Sequence, residues 1–527
     1  MVWGEIIMPV DLEKFTQFHD HLFRIDFTGN LPGMRPRLST EADVQRATDR
    51  GAPFLPRVYH QNFYQPMMGQ LPNLMNKLRQ QVQSGQKTPA ELTARLESLY
   101  AVVYQHGTRV TRIDARAQLT RFLAVVSNLY RSFVNANKRS AVGVTLVTET
   151  PPLAFFQSDS MQGPYTIESD LMHQFFGMSI GIVSLPATYR DHPVIWASLT
   201  HEVCGHDVVH ADEGLVPEMV AAVRAKLAPD FKPRKKLDTA TLNALIWSYW
   251  IDEAAADVYG VLNMGPSFPL NLAAMLAAFR GRIAVDLKHE PRPAKPRVAT
   301  RADPRDHAHG DEIMDDHPID LLRFYLAAGV IETMTKLHAS ARAGYVADVE
   351  AVAKAVAGGA TEISVAGLVQ ISHDDWMPIK ETMKLADAAA AARQVGKIIA
   401  TGEFKALNNH SIQDIETWDD ADEEIAQSIA GQILRNESVI GRGDDAQLLA
   451  GVTLAVLQRP DLYDAAGALL NAALDDSYLR DPIWGELTPD HAFAPNAFAG
   501  APSGRKPTTR KSGGKKSKRG GNKRSRS

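Results

Sequence analysis

The chain has 527 residues, 45% hydrophobic and 22% charged, which suits a soluble globular protein with a large core or two to three domains. Cys204 is the only cysteine, so an intrachain disulfide is excluded, and no run of about 18 apolar residues is present to form a membrane span. The net charge of -4 conceals an asymmetry: residues 503–527 hold eleven Lys/Arg and no acid, against 46 basic and 61 acidic residues in the rest, a net of -15.

In chain order, "MVWGEIIMPVDLEKF" lacks a basic region followed by an apolar one, so it does not read as a secretory leader, and a cytoplasmic protein is expected. From 72 to 137 apolar residues recur every three and four positions, with arginines on the other face, which predicts helix. The texture then changes. "VGVTLVTE" (142–149), "LAFFQS" and "MSIGIVSLP" are short apolar runs near Gly, Pro or Ser and read as strands, the only strand-like zone of the chain.

"DHPVIWASLTHEVCGHDVV" reads as a helix with Asp191 or His192 as its cap and Pro193 in its first turn. "NALIWSYWIDEAAADVYGVLNMG" reads as a second helix ending near Gly265 and Pro266. A proline-rich, charged loop covers 288–312, and "HPIDLLRFYLAAGVIETM" restarts as helix with Pro318 in its first turn. Residues 345–485 look helical almost throughout, with Ala-rich segments. The tail, with nothing apolar to bury, is expected to be disordered and to attract nucleic acid or an acidic partner, or else to rest on the acidic body.

The chemistry concentrates in "SLTHEVCGHDVVHADEG" (198–214), where His201 and Glu202 open a motif that His206 closes. Zinc sites on helices usually place histidines four apart, about 40° around the axis; five apart they diverge by about 140° and cannot share an ion on a regular helix. One π-type turn absorbs the extra residue, and Gly205 supplies backbone freedom beside it. A catalytic zinc takes three protein ligands and keeps one position open. On the second helix Glu253 can be the third ligand, and Asp257, one turn on, can accept a hydrogen bond from the outer nitrogen of a ligating histidine. Glu202 is then free to act as a general base.

These motifs resemble those of the glutamate-zincin metallopeptidases. The six-residue H-E-x-x-G-H is similar to that of dipeptidyl peptidase III, whose second motif, Glu-Glu-x-x-Ala-Glu/Asp, corresponds here to Asp252, Glu253, Ala256 and Asp257. The resemblance implies one zinc ion on His201, His206 and Glu253, with Glu202 as base. His317, Pro318 and Arg323 form an H-P-x-x-x-x-R arrangement similar to one in the CaaX-protease-like metallopeptidases, which implies that His317 stabilises an oxyanion. Arg323 is then a clamp for a substrate carboxylate or a brace for an acidic ligand helix. The chain departs from dipeptidyl peptidase III after the second histidine, where Asp207-Val208-Val209 replaces a Gly-Ser-Gly run.

The expected fold is mainly α (α+β): a mostly helical region (1–140), a zincin-like domain with a small sheet on the active-site helices (141–340), a helical C-terminal domain (341–500) and the tail (501–527). The expected function is a zinc-dependent peptidase with a peptide or protein substrate, no membrane association, Glu202, His317 and Arg323 in the catalytic machinery, and Asp257 supporting a ligand. The alternative is a catalytically silent zinc-containing interaction protein that binds through its tail. Cys204 reads as a small buried residue behind the metal face. His307 and His309, in "HAHGDE", form a second candidate metal pair, and "WDDADEE" (418–424) reads as a solvated helix start.

Overall fold

The computed structural model describes residues 11–23, 55–67, scattered positions between 69 and 106, and then 113–144, 150–157, 164–235, 237–279, 288–289, 314–372 and 375–484. The 145–149 part of the first expected strand, most of the 288–312 loop with His307 and His309, and the basic tail lie outside them. Among the described residues the fold is mostly helical, with two three-stranded sheets. Among the described residues, no helix is long and apolar enough to cross a membrane.

Helix α1 (Leu12–Phe23) precedes the long α2 (Ile113–Val134), whose Phe122, Val125, Val126 and Leu129 are buried. Strands β1 (Leu153–Gln157), β2 (Tyr165–Ile167) and β3 (Ile182–Pro186) form the first sheet in the order β1-β3-β2, with β3 parallel to β1 and antiparallel to β2. β1 and β3 are buried throughout, so both read as continuous apolar runs, "LAFFQ" and "IVSLP". The outer edge of β1 is closed by side chains. The Gln105 amide donates to Phe156 O (2.6 Å) and accepts from Phe156 N (2.9 Å), and His106 Nε2 lies 2.9 Å from Ala154 O. α3 (Ser169–Phe176) connects β2 to β3.

The next segment is not the single helix expected. Pro193–Ala197 is a 3-10 helix with Pro193 in its first turn, Thr200–Asp207 is a π helix, and a short α turn follows at Val208–Ala211. No side-chain hydrogen bond caps it; His192 holds the cap position by backbone alone. After α4 (Leu215–Leu227), the second expected helix is two, α5 (Thr239–Tyr249) and α6 (Ile251–Met264), broken at Trp250. The break has a physical cause. Tyr249 Oη donates to Met314 O (2.7 Å) and Trp250 Nε1 to Asp315 O (2.9 Å), which ties both side chains to the segment that carries His317. α7 (Ser267–Phe279) follows, and α8 (Asp320–Thr333) begins two residues after Pro318 rather than around it.

Beyond α9 (Ala339–Ala357) the structure corrects the helical expectation. β5 (Glu362–Ser372) and β6 (Asp375–Lys384) form an antiparallel hairpin, with β4 (Lys288–His289) parallel to β5. Ile363, Val365 and Val369 alternate inward along β5, the period-two pattern of a half-buried strand. α10 (Leu385–Thr401), α11 (Asp420–Leu434), α12 (Asp445–Gln458) and α13 (Tyr463–Arg480) are the main helices of the remaining described residues. The "WDDADEE" stretch does start a helix, through a capping box of Asp419 and Asp422, but it is not solvated throughout. Glu423 is buried, accepting from Tyr345 Oη (2.7 Å) and Trp418 Nε1 (3.0 Å). One continuous apolar core runs from Phe15 to Trp484, across residues 140 and 340.

Candidate metal centre

The π helix puts His201 and His206 on one face. Their ring centroids lie 5.0 Å apart at 85°, although five residues separate them. Facing them is the first turn of α6. His201 Nε2 lies 3.1 Å from Glu253 Oε2, and His206 Nε2 lies 3.6 Å from Glu253 Oε1. One ligand atom from each residue falls within 4.8 Å of the others, so the three form a group able to hold a metal ion. Tetrahedral ligands about 2.1 Å from a common centre stand about 3.4 Å apart, and the two observed separations bracket that spacing.

Gly205 makes this approach possible, by a different route from its backbone freedom. A Cβ there would overlap the Cα and Cβ of Ala256, so the bare glycine lets the π helix lie against the Ala-rich face of α6. Cys204 is buried on the far side, with Sγ 3.3 Å from Leu129 O of α2.

Behind the ligands stands a braced pair. His201 Nδ1 donates to Asp257 Oδ1 (2.9 Å), which fixes the ring orientation and turns Nε2 toward Glu253. Arg323, from α8, grips the same carboxylate at two points, Nε to Oδ2 and Nη2 to Oδ1, both 2.7 Å. Asp257 is 1% exposed and Arg323 5%, so the pair is dry and the guanidinium is committed to Asp257. Of the two roles weighed for Arg323, this geometry serves the brace.

The site's charge is tuned by these contacts. Burial works to raise the Asp257 pKa, but Arg323 and His201 outweigh it and hold it below the usual carboxylate range. Burial likewise works to raise that of Glu253, yet His317, His206 and His201 together bring it well below its ordinary value. For His201 burial acts to lower the pKa, and Asp257 and Glu253 overcome it and raise it to about 9. Glu253 Oε2 is buried and makes no hydrogen bond of acceptable geometry, despite His201 Nε2 being close by. Nε2 of both histidines and the Glu253 carboxylate thus converge on a site that favours positive charge, whether a proton on His201 or a metal ion in its place. The donor set of two imidazoles and one carboxylate suits a divalent transition-metal ion, zinc among them.

His317 sits at the edge of this cluster, its side chain 44% exposed, with Nε2 3.4 Å from Glu253 Oε1 and Nδ1 3.0 Å from Asp315 Oδ1. Partial desolvation acts to lower its pKa, but Glu253, Asp315 and Asp316 raise it well above the ordinary value. Its segment is anchored by Tyr249, by Trp250, and by Met314 N, which donates to Leu368 O of β5 (3.1 Å).

Glu202 is buried beside His201, and its carboxylate meets a residue that the sequence pattern did not single out. Thr166 Oγ1, on β2, lies 3.0 Å from Glu202 Oε2 and 2.9 Å from Glu202 O. Asp207, next to His206, is a further buried carboxylate. Its Oδ1 accepts from Ser169 N (2.8 Å) at the start of α3, and burial pushes its pKa up to about 7 against that hydrogen bond. Val208 and Val209, which follow, are buried in the core. No protein-family model matches the chain, and no curated protein or solved structure is significantly similar to it.

Proposed function

We propose that the protein is a zinc-dependent hydrolase of peptide bonds, of the glutamate-zincin type. The observation that carries this reading is the convergence of His201, His206 and Glu253, with Asp257 and Arg323 locking His201 from behind. When bound there, zinc acidifies water and polarises a carbonyl. Glu202, next in sequence to a ligand and not itself one, accepts the proton of the attacking water and returns it to the leaving amine. His317, partly exposed with Nε2 3.4 Å from Glu253 Oε1, is placed to donate an N–H to the oxygen that gains charge.

A peptide substrate is favoured by the neighbouring sheet. β1 is closed by Gln105 and His106, whereas β2 pairs only with β3 among the described residues and lies against the π helix through Thr166. An extended chain can add to such an edge through main-chain hydrogen bonds, which serve any sequence.

The test combines metal analysis with digestion of a peptide library by purified protein. About one zinc per chain is expected. Glu202→Gln keeps the zinc and the fold, and lowers turnover at least about a hundredfold because an amide cannot take the proton. A zinc-loaded wild type that cleaves nothing, or a Glu202→Gln protein as active as wild type, overturns the reading and favours the silent interaction protein.

A further inference from the structure

We propose that Thr166 is the positioning residue for Glu202, holding one carboxylate oxygen by its hydroxyl so that the other is presented to the reaction; the role rests on the hydrolase reading above. A glutamate side chain has three rotatable bonds, and a base that wanders by one rotamer loses its alignment with the water it must deprotonate. Glu202 lies on a π helix, whose hydrogen bonds constrain the backbone but not these rotors. Thr166 supplies the missing constraint from another element. Its single hydroxyl proton is shared between Glu202 Oε2 (3.0 Å) and Glu202 O (2.9 Å), a three-centre hydrogen bond that ties the side chain to its own backbone. Among the described residues no group hydrogen bonds Glu202 Oε1, so that oxygen remains free for a proton.

The support is itself rigid. Thr166 is the middle residue of β2, paired with Val183 of β3, and its neighbour Ile167 is buried on the opposite face. As a β-branched residue in a strand it has few rotamers of its own. The sheet therefore fixes the hydroxyl, and the hydroxyl fixes the base.

Thr166→Val keeps the shape and β-branching and removes only the hydroxyl. In the full-length zinc-loaded protein, kcat is expected to fall about tenfold or more, with KM and zinc content within twofold of wild type. Thr166→Ser, which keeps the hydroxyl, restores most of kcat. In a Glu202→Gln background Thr166→Val has little further effect, because the residue acts through the carboxylate. An activity-free measurement tests the contact itself: urea unfolding of wild type, Thr166→Val, Glu202→Leu and the double variant, in which the two single losses do not add. Unchanged kcat in Thr166→Val, an equal fall in KM and kcat terms unrescued by Ser, or additive unfolding losses overturns the proposal. A wild type that cleaves no peptide overturns the hydrolase reading instead, and the unfolding cycle still decides whether Thr166 holds Glu202.

Discussion

Gly205 and Ala256 meet backbone against backbone: a methyl group on the glycine would overlap both Cα and Cβ of the alanine. This crossing sets the distance between the helix that carries His201 and His206 and the helix that carries Glu253. Gly205→Ala must push the two apart. The expected cost is about 1–3 kcal/mol of stability, as for other overpacked sites, together with weakened metal retention, read by thermal unfolding and by zinc content after dialysis. Ala256→Gly should rescue only in part, since the Cα of residue 256 also stands in the way. A Gly205→Ala protein with wild-type stability and full zinc would show that the crossing is looser than described.

The same crossing shows what a sequence can reveal. Spacing within one helix is legible, so the five-residue interval between His201 and His206 implied a π turn, and E-x-x-x-D placed Glu253 and Asp257 on one face. Contacts between distant elements are not legible in this way. Thr166 precedes Glu202 by 36 positions on a three-residue strand, and nothing in "YTI" marks it as the partner of a buried carboxylate. The β5–β6 hairpin was hidden differently. Ile363, Val365, Val369 and Ile371 do alternate, but they lie between Ala-rich helices that dominate the local composition. That hairpin matters to the site, because Leu368 O holds the backbone of Met314 and so the segment leading to His317.

The Asp257–Arg323 pair separates structural support from metal chemistry. Both groups are buried, so removing Arg323 leaves the Asp257 charge with His201 as its one remaining partner among the described residues, a loss approaching the about 3–5 kcal/mol of a broken buried pair. Arg323→Met should therefore lower the unfolding temperature strongly even without metal. Arg323→Lys keeps the charge and loses the two-point grip, so a smaller loss of stability is expected. Freed from one side, Asp257 orients His201 less well, and zinc affinity should fall about 10–100-fold, the usual effect of losing such a support. Competition with a chelator measures it. Unchanged affinity in Arg323→Lys would mean that Asp257 holds His201 without help.

His317 and Asp315 give a further test. His317 receives contacts through both ring nitrogens, from Glu253 on one side and from Asp315 (3.0 Å) and Asp316 (3.1 Å) on the other. If Asp315 orients the ring, Asp315→Asn keeps zinc bound and lowers kcat about tenfold, while His317→Ala loses about 10²–10³ in kcat, the range for a lost oxyanion donor. Steady-state kinetics on one cleaved peptide checks both. His317→Ala with undiminished kcat would remove the histidine from the chemistry and leave it as a helix-entry residue.

The last prediction concerns pH and a histidine away from the metal. His106 is buried with Nε2 at 2.9 Å from Ala154 O on the edge of β1, and its ring lies near Trp484. Burial lowers its pKa from 6.5 to about 4, against the small opposing pull of that carbonyl. The unfolded chain therefore takes up the proton first as pH falls. The stability linked to His106 is fully present above about pH 6.5 and is lost between 6.5 and 4, by about 1.4 kcal/mol per unit and about 3 kcal/mol in all. His201 and other groups titrate in the same protein, so the prediction is a difference. Unfolding free energies of wild type and His106→Gln are compared from pH 7.5 to 4, where glutamine can still donate to Ala154 O but cannot ionise. The wild-type curve should fall more steeply between 6.5 and 4, and the two should run parallel above 7. Parallel curves across the whole range would mean that water reaches His106, and that the edge of β1 is less tightly closed than its hydrogen bonds imply.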